Sequence, residues 1–147
     1  MYYTGMKVLI GELSAFARSV LTQLPHKDVA VVVALCGTLG AGKTTFAQAL
    51  ARELGVASVV QSPTYVLMKK YQTAHEYFTT LVHIDAYRLE KPEEFRALRP
   101  EQFLHDARTL VLVEWPEMVG TLLPKPDLTI TFSAEGARER ERDIEIT

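Results

Sequence analysis

An α/β fold, with a mostly parallel central sheet flanked by helices, antiparallel edge strands and a C-terminal hairpin, is what this sequence predicts. Three observations carry the prediction. "DVAVVVAL", Asp28 to Leu35, is a continuous β-branched run of the kind buried on both faces of a parallel sheet. "TLVLVEW", starting at Thr109, is a second fully apolar strand. Between them, a glycine loop follows the first strand at once and opens directly into the helical segment "KTTFAQALAREL".

The remaining elements follow in chain order. From Glu12 to Leu24 the apolar residues Leu13, Phe16, Ala17, Val20, Leu21 and Leu24 fall at helical spacing, and Pro25 ends that helix. Gly55 stands at the C-terminal cap of the helix after the glycine loop, where a left-handed residue is favoured. "SVVQ" and "YVLMKKY" read as strands around the punctuation "SPT". "TLVHID", Thr80 to Asp85, is a further strand, expected to pair with Tyr65–Tyr71 through "QTAHEYF". Pro92 and Pro100 can each occupy a first helical turn, in "KPEEFRAL" and "RPEQFLHD". "DLTITFS" and "RERERDIEIT" flank "AEGA" and predict the terminal hairpin. The Arg and Glu alternation in the last segment reads as one solvated strand rather than a binding tail.

The 147 residues, without repeat or linker, predict a single domain over 1–147. Hydrophobic residues make up 48% and charged residues 23%, an ordinary globular balance. A net charge of −2 does not advertise a nucleic-acid or anionic membrane partner. The single cysteine, Cys36, cannot form an internal disulfide and fits a reducing compartment. It reads as a small core hydrophobe rather than a reactive thiol. The N-terminal segment lacks a signal-peptide pattern, and no apolar run reaches the roughly 20 residues of a membrane span. A cytoplasmic protein without a membrane partner is expected.

Gly37, Gly42, Lys43 and Thr44 complete the pattern G-x-x-x-x-G-K-[ST], the signature of a P-loop NTPase fold. Glycines let backbone N–H groups turn inward around phosphate oxygens, and a helix start adds its positive dipole end. Gly37, Leu39, Gly40, Ala41 and Gly42 are therefore candidates to cradle a nucleotide. Lys43 is expected to reach the β and γ phosphates, and the Thr44 hydroxyl to ligate Mg²⁺. An ordinary glycine turn would not need the lysine and threonine.

Ligands in open α/β sheets bind beyond the carboxyl ends of strands, and two strands here end in an acid, Asp85 and Glu114. Either could hold the metal or orient an attacking water. A lone acid of this kind would read as a solvent-facing strand end; two beside a phosphate loop favour chemistry, with the division of roles left open. Ser62 and Thr64 flank Pro63, a stiff turn that serves equally as a switch-like loop or as a plain strand entry. His83 reads as a core or supporting residue rather than a base. Arg88 could neutralise phosphate charge or meet a partner, although surface arginines more often do neither, and Trp115 could stack near the nucleotide, although a core tryptophan is the commoner case.

Taken together, "CGTLGAGKTTFAQALARELG", "VQSPTYVLMKKY", "HIDAYRLE" and "LVLVEWPE", in this order and spacing, resemble the TsaE (YjeE) family, the ATPase of bacterial tRNA threonylcarbamoyladenosine biosynthesis. The resemblance implies that Lys43 and Thr44, with Thr45 beside them, serve ATP phosphates and Mg²⁺. It implies that Ser62, Pro63 and Thr64 face the γ phosphate, that Asp85 belongs to the magnesium and hydrolysis machinery, and that Glu114 takes the Walker-B-like role. Trp115 would lie close to the nucleotide. The implied partner is a TsaD–TsaB complex, which transfers the threonylcarbamoyl group to N6 of adenosine 37 and holds the tRNA, so tRNA contact is indirect. Two departures stand out: Thr38 where the family usually has Asp, and "ALRP", Ala97 to Pro100, where it tends to have Leu-Gly. A small-molecule kinase with Asp85 as base shares the loop, but the chain shows no clear arginine-bearing lid. A GTP switch would want N-K-x-D, which is absent. A nucleotide-dependent scaffold with little turnover is the remaining alternative.

Overall fold

The computed structural model describes residues 3–38, 40–58, 67–134 and 141–147. Among them, seven strands form one sheet: β1 (Tyr3–Leu9), β2 (Val31–Gly37), β3 (Met68–Gln72), β4 (Thr80–Asp85), β5 (Thr109–Glu114), β6 (Leu128–Ser133) and β7 (Glu141–Ile146). Their order across the sheet is β1-β7-β6-β2-β5-β4-β3. The central four, β6, β2, β5 and β4, are mutually parallel. β3 closes one edge antiparallel to β4, in the hairpin expected from the sequence. The β6–β7 hairpin also forms as expected, but it is not the edge. β1, which sequence periodicity did not reveal, pairs antiparallel to β7 outside it.

The helices are α1 (Leu13–Gln23), α2 (Lys43–Glu53) and the short α3 (Glu101–Leu104). Because β2 and β5 are apolar on both faces, the sheet has two cores. On one face Val31, Val33 and Leu35 meet α1 and α2 through Phe16, Val20, Phe46 and Leu50. On the other, Val32, Val82, Ile84 and Val111 pack with Phe95, Phe103 and Val119. Full burial of a side chain of this size contributes about 1.5–3 kcal/mol. No helix among the described residues is long and apolar enough to cross a membrane.

α2 ends as the sequence predicts. Gly55 takes φ +77 and donates its N–H to the Arg52 carbonyl at 3.0 Å, while Val56 donates to Ala51 at 3.0 Å, which satisfies two otherwise orphaned carbonyls. The "KPEEFRAL" segment differs from expectation. It is a 3-10 helix over Pro92–Leu98, with Pro92 in its first turn, and Pro100 precedes α3 as its N-cap rather than lying in its first turn. The join between them turns on Arg99, which adopts left-handed φ 50, where a Cβ is unfavourable by roughly 1–2 kcal/mol. Arg99→Gly should relieve that strain, offset in part by the greater freedom of glycine in the unfolded chain. A thermal midpoint raised by about 2–4 °C is the expected calorimetric result.

Candidate functional site

The loop between β2 and α2 is shaped by three glycines with positive φ: Gly37 at 134, Gly40 at 78 and Gly42 at 111. At Gly37 a Cβ would collide with the Phe132 carbonyl oxygen on β6, so only glycine lets the loop leave the sheet there. Gly42 is the N-cap of α2 and has no side chain to cap it. The first N–H groups of the helix are therefore left for whatever occupies the cleft in front.

Lys43, only 5% exposed, bends back under the loop. Its Nζ donates to the carbonyls of Gly37 at 2.6 Å and Thr38 at 2.9 Å, and it lies 4.2 Å from the centroid of the Trp115 ring. Burial pushes the lysine below its ordinary pKa, opposed by the charges of Glu114 and Asp85. Trp115 itself sits in the left-handed region at φ 60, a conformation that non-glycine residues hold only when their surroundings impose it. Here its N–H bonds Leu35 of β2 at 3.3 Å, and the ring faces the cleft.

Glu114, the last residue of β5, is 3% exposed, so it is not a strand end meeting solvent. It accepts the Thr44 hydroxyl at 3.1 Å on Oε1, and Oε2 lies 2.6 Å from His83 Nε2. Asp85 is its neighbour across the β4–β5 ladder. The Asp85 Oδ1 accepts the Tyr87 N–H at 3.1 Å, which fixes the turn after β4. A hydroxyl and two carboxylates converging beside a helix start are the oxygen donors that a hard divalent cation takes, completed by water and phosphate.

These groups line one cleft of about 410 Å³. Of the residues singled out from sequence for the site, Gly40, Gly42, Lys43, Thr44, Thr45, Asp85, Arg88, Glu114 and Trp115 border it. Gly37 lies behind the loop, offering its carbonyl to Lys43. The Ala41 side chain is buried in the core at 1% exposure, leaving only its backbone to the loop. Leu39, the Ser62, Pro63 and Thr64 turn, residues 59–61 of "SVVQ" and residues 65–66 of "YVLMKKY" fall outside the described residues. Cys36 is half-buried, and burial together with Glu117 pushes its thiol pKa up, which fits an unreactive cysteine.

Sequence reasoning missed part of the cleft. Ile10, Phe132 and Arg142 also line it, and the Arg142 stem passes 3.8 Å from where a Gly42 Cβ would stand. Its only signal was the Arg and Glu alternation of β7, which reads as solvated. Tyr87, 47% exposed, meets Trp115 with ring centroids 5.1 Å apart and forms an aromatic lip beside Arg88.

The profile of the family described as "Threonylcarbamoyl adenosine biosynthesis protein TsaE" matches residues 10–144. The chain belongs to the TsaE family. The Bacillus subtilis protein named "tRNA threonylcarbamoyladenosine biosynthesis protein TsaE" is 37% identical over 110 residues, covering 75% of this chain and 66% of its own. The Borreliella burgdorferi protein of the same name is 33% identical over 123 residues, covering 83% and 85%. The match spans just under two thirds of the Bacillus relative and 65% of the Haemophilus influenzae one. A crystal structure of Bacillus subtilis YdiB superposes with a TM-score of 0.71 at 28% identity, covering 99% of this chain and 86% of that one. Within this TsaE-family chain the Thr38 side chain is exposed. Its backbone carbonyl carries the bonds to Lys43 and to the Ala41 N–H.

Proposed function

We propose that this TsaE-family chain has a P-loop NTPase fold, binds ATP with Mg²⁺ in the cleft, and hydrolyses it weakly alone. In the cytoplasm it would support a TsaD–TsaB complex that threonylcarbamoylates adenosine 37 of tRNA. The observation that carries this reading is the meeting of Thr44 with Glu114 at 3.1 Å. It joins the start of the loop helix to the end of β5 at the point where a phosphate-bound metal belongs.

The residues divide the work as follows. The N–H groups at the start of α2 and the glycine backbone bind phosphate oxygens. Lys43 exchanges its contacts with the Gly37 and Thr38 carbonyls for phosphate oxygens. Thr44, with one of Glu114 and Asp85, would hold Mg²⁺, which supplies charge neutralisation at the phosphates when bound. The acid not engaged there orients the water. Weak hydrolysis alone follows if a partner completes the site, as a supplied arginine does in other NTPases. Arg142, over Gly42, is a cation already close to the loop. The basic residues Lys69, Lys70 and Arg88 do not form one surface: Lys70 lies over the Phe103 ring, while Arg88 borders the cleft. That dispersal favours tRNA being held by the other subunits.

The test is ATP hydrolysis by the protein alone and with TsaD–TsaB. Stimulation by the partners, lost in Lys43→Ala together with a fall of about 100-fold or more in ATP affinity, is the expected result. Unchanged turnover with partners present would remove the assembly role.

A further inference from the structure

One buried side chain at the site has no part in the division of work above. His83 is 0% exposed in the middle of β4. Its Nε2 lies 2.6 Å from Glu114 Oε2, whereas its Nδ1 has no hydrogen-bond partner among the described residues. An ionised carboxylate only accepts, so the ring proton of this pair is on Nε2, and a neutral ring leaves a bare lone pair at Nδ1.

As packing alone this is a poor choice. The position two residues earlier on the same face is Leu81, and the partner across the β4–β5 ladder is Leu112, both fully buried. A leucine at 83 would continue that surface without an unsatisfied nitrogen, whose burial is destabilising. What the ring provides that leucine cannot is a rigid donor to one oxygen of Glu114. Thr44 Oγ1 lies 3.1 Å from the other oxygen and 3.4 Å from Oε2, but its hydroxyl is also the group proposed to serve the cation. The His83 contact does not compete with a ligand.

We infer that His83 is a positioning residue for Glu114, fixing Oε2 so that Oε1 stays turned toward Thr44 and the cleft. This rests on the reading of the cleft as an Mg²⁺–ATP site. Supporting groups of this kind typically alter metal affinity or activity by about 10–100-fold.

Two amide substitutions separate the ring nitrogens. The amide nitrogen of glutamine reaches the position of Nε2, whereas that of asparagine stops near Nδ1. His83→Asn and His83→Leu should lower partner-stimulated kcat by about 10–100-fold with KM for ATP little changed, and His83→Gln should restore most of it. The Mg²⁺ concentration needed for tight binding of a fluorescent ATP analogue should rise in parallel. In the ligand-free protein, the His83 Nε2–H resonance should be protected from exchange and should shift in Glu114→Gln. Native kcat and Mg²⁺ dependence in His83→Leu would overturn the inference. So would a resonance indifferent to Glu114, or a His83→Gln variant as impaired as His83→Leu with the same lowered melting temperature, which marks a packing role. If the native protein binds no ATP, the cleft reading fails instead, and the resonance alone decides whether His83 holds Glu114.

Discussion

Glu114→Gln is expected to lower kcat for ATP hydrolysis by about 10²–10³-fold while the protein still folds and binds nucleotide. The amide keeps the shape of the carboxylate and can satisfy both neighbours. Its carbonyl oxygen accepts from His83, and its NH₂ donates to the Thr44 hydroxyl, which turns to accept. What is lost is the charge in a pocket where it is nearly desolvated, hence the large effect on chemistry. A second consequence concerns pH. Glu114 raises the pKa of Lys43 against the lowering caused by burial. Removing it lets the lysine fall further, and the anion-binding ammonium is lost as pH rises through that value. ATP affinity in the variant should therefore decline at lower pH than in the native protein. Single-turnover kinetics and equilibrium binding across alkaline pH measure the two effects separately. Native kcat in this variant would leave Asp85 as the acid that carries the chemistry.

Gly37→Ala should unfold or severely destabilise the chain, by more than about 3 kcal/mol. The backbone φ of 134 is one that L side chains rarely adopt, and the new methyl would strike the Phe132 carbonyl oxygen. That carbonyl cannot simply retreat. Gly37 and Phe132 are partners in the β2–β6 ladder, and the Phe132 ring packs 5.5 Å from Phe46 in the α2 core. Gly40→Ala is the informative contrast. It has positive φ but no described residue within 4 Å of its Cβ, so its cost should stay near 1 kcal/mol of backbone strain. Denaturant unfolding of both variants tests this, and comparable midpoints would show that β6 yields more easily than its pairing implies.

The parts of the molecule legible in the sequence are those where one local rule decides the outcome. A both-faces apolar run, a glycine turn and a helical period suffice for β2, the loop and α2, and an acid closing an apolar strand locates Asp85 and Glu114. The hidden parts depend on distant partners. β1 carries Gly5 at φ 73 and a register shift between Tyr3 and Met6, which spoil alternation, and only pairing with β7 makes it a strand. Arg142 looks like any solvated arginine until β7 is placed beside the loop. The 3-10 helix over Pro92–Leu98 has Phe95 as its buried anchor, too few apolar positions to separate it from an α-helix by period. For Trp115, neither its left-handed backbone nor its contact with Lys43 has any signature in composition or spacing.

That contact makes the molecule its own optical instrument. The sequence has one tryptophan, and its indole lies 4.2 Å beneath an ammonium close enough to perturb its excited state. Any anion that draws Lys43 away from the ring must change the emission of this single tryptophan. Occupancy of the loop can thus be followed in unlabelled protein, with the light coming from the residue beside the event.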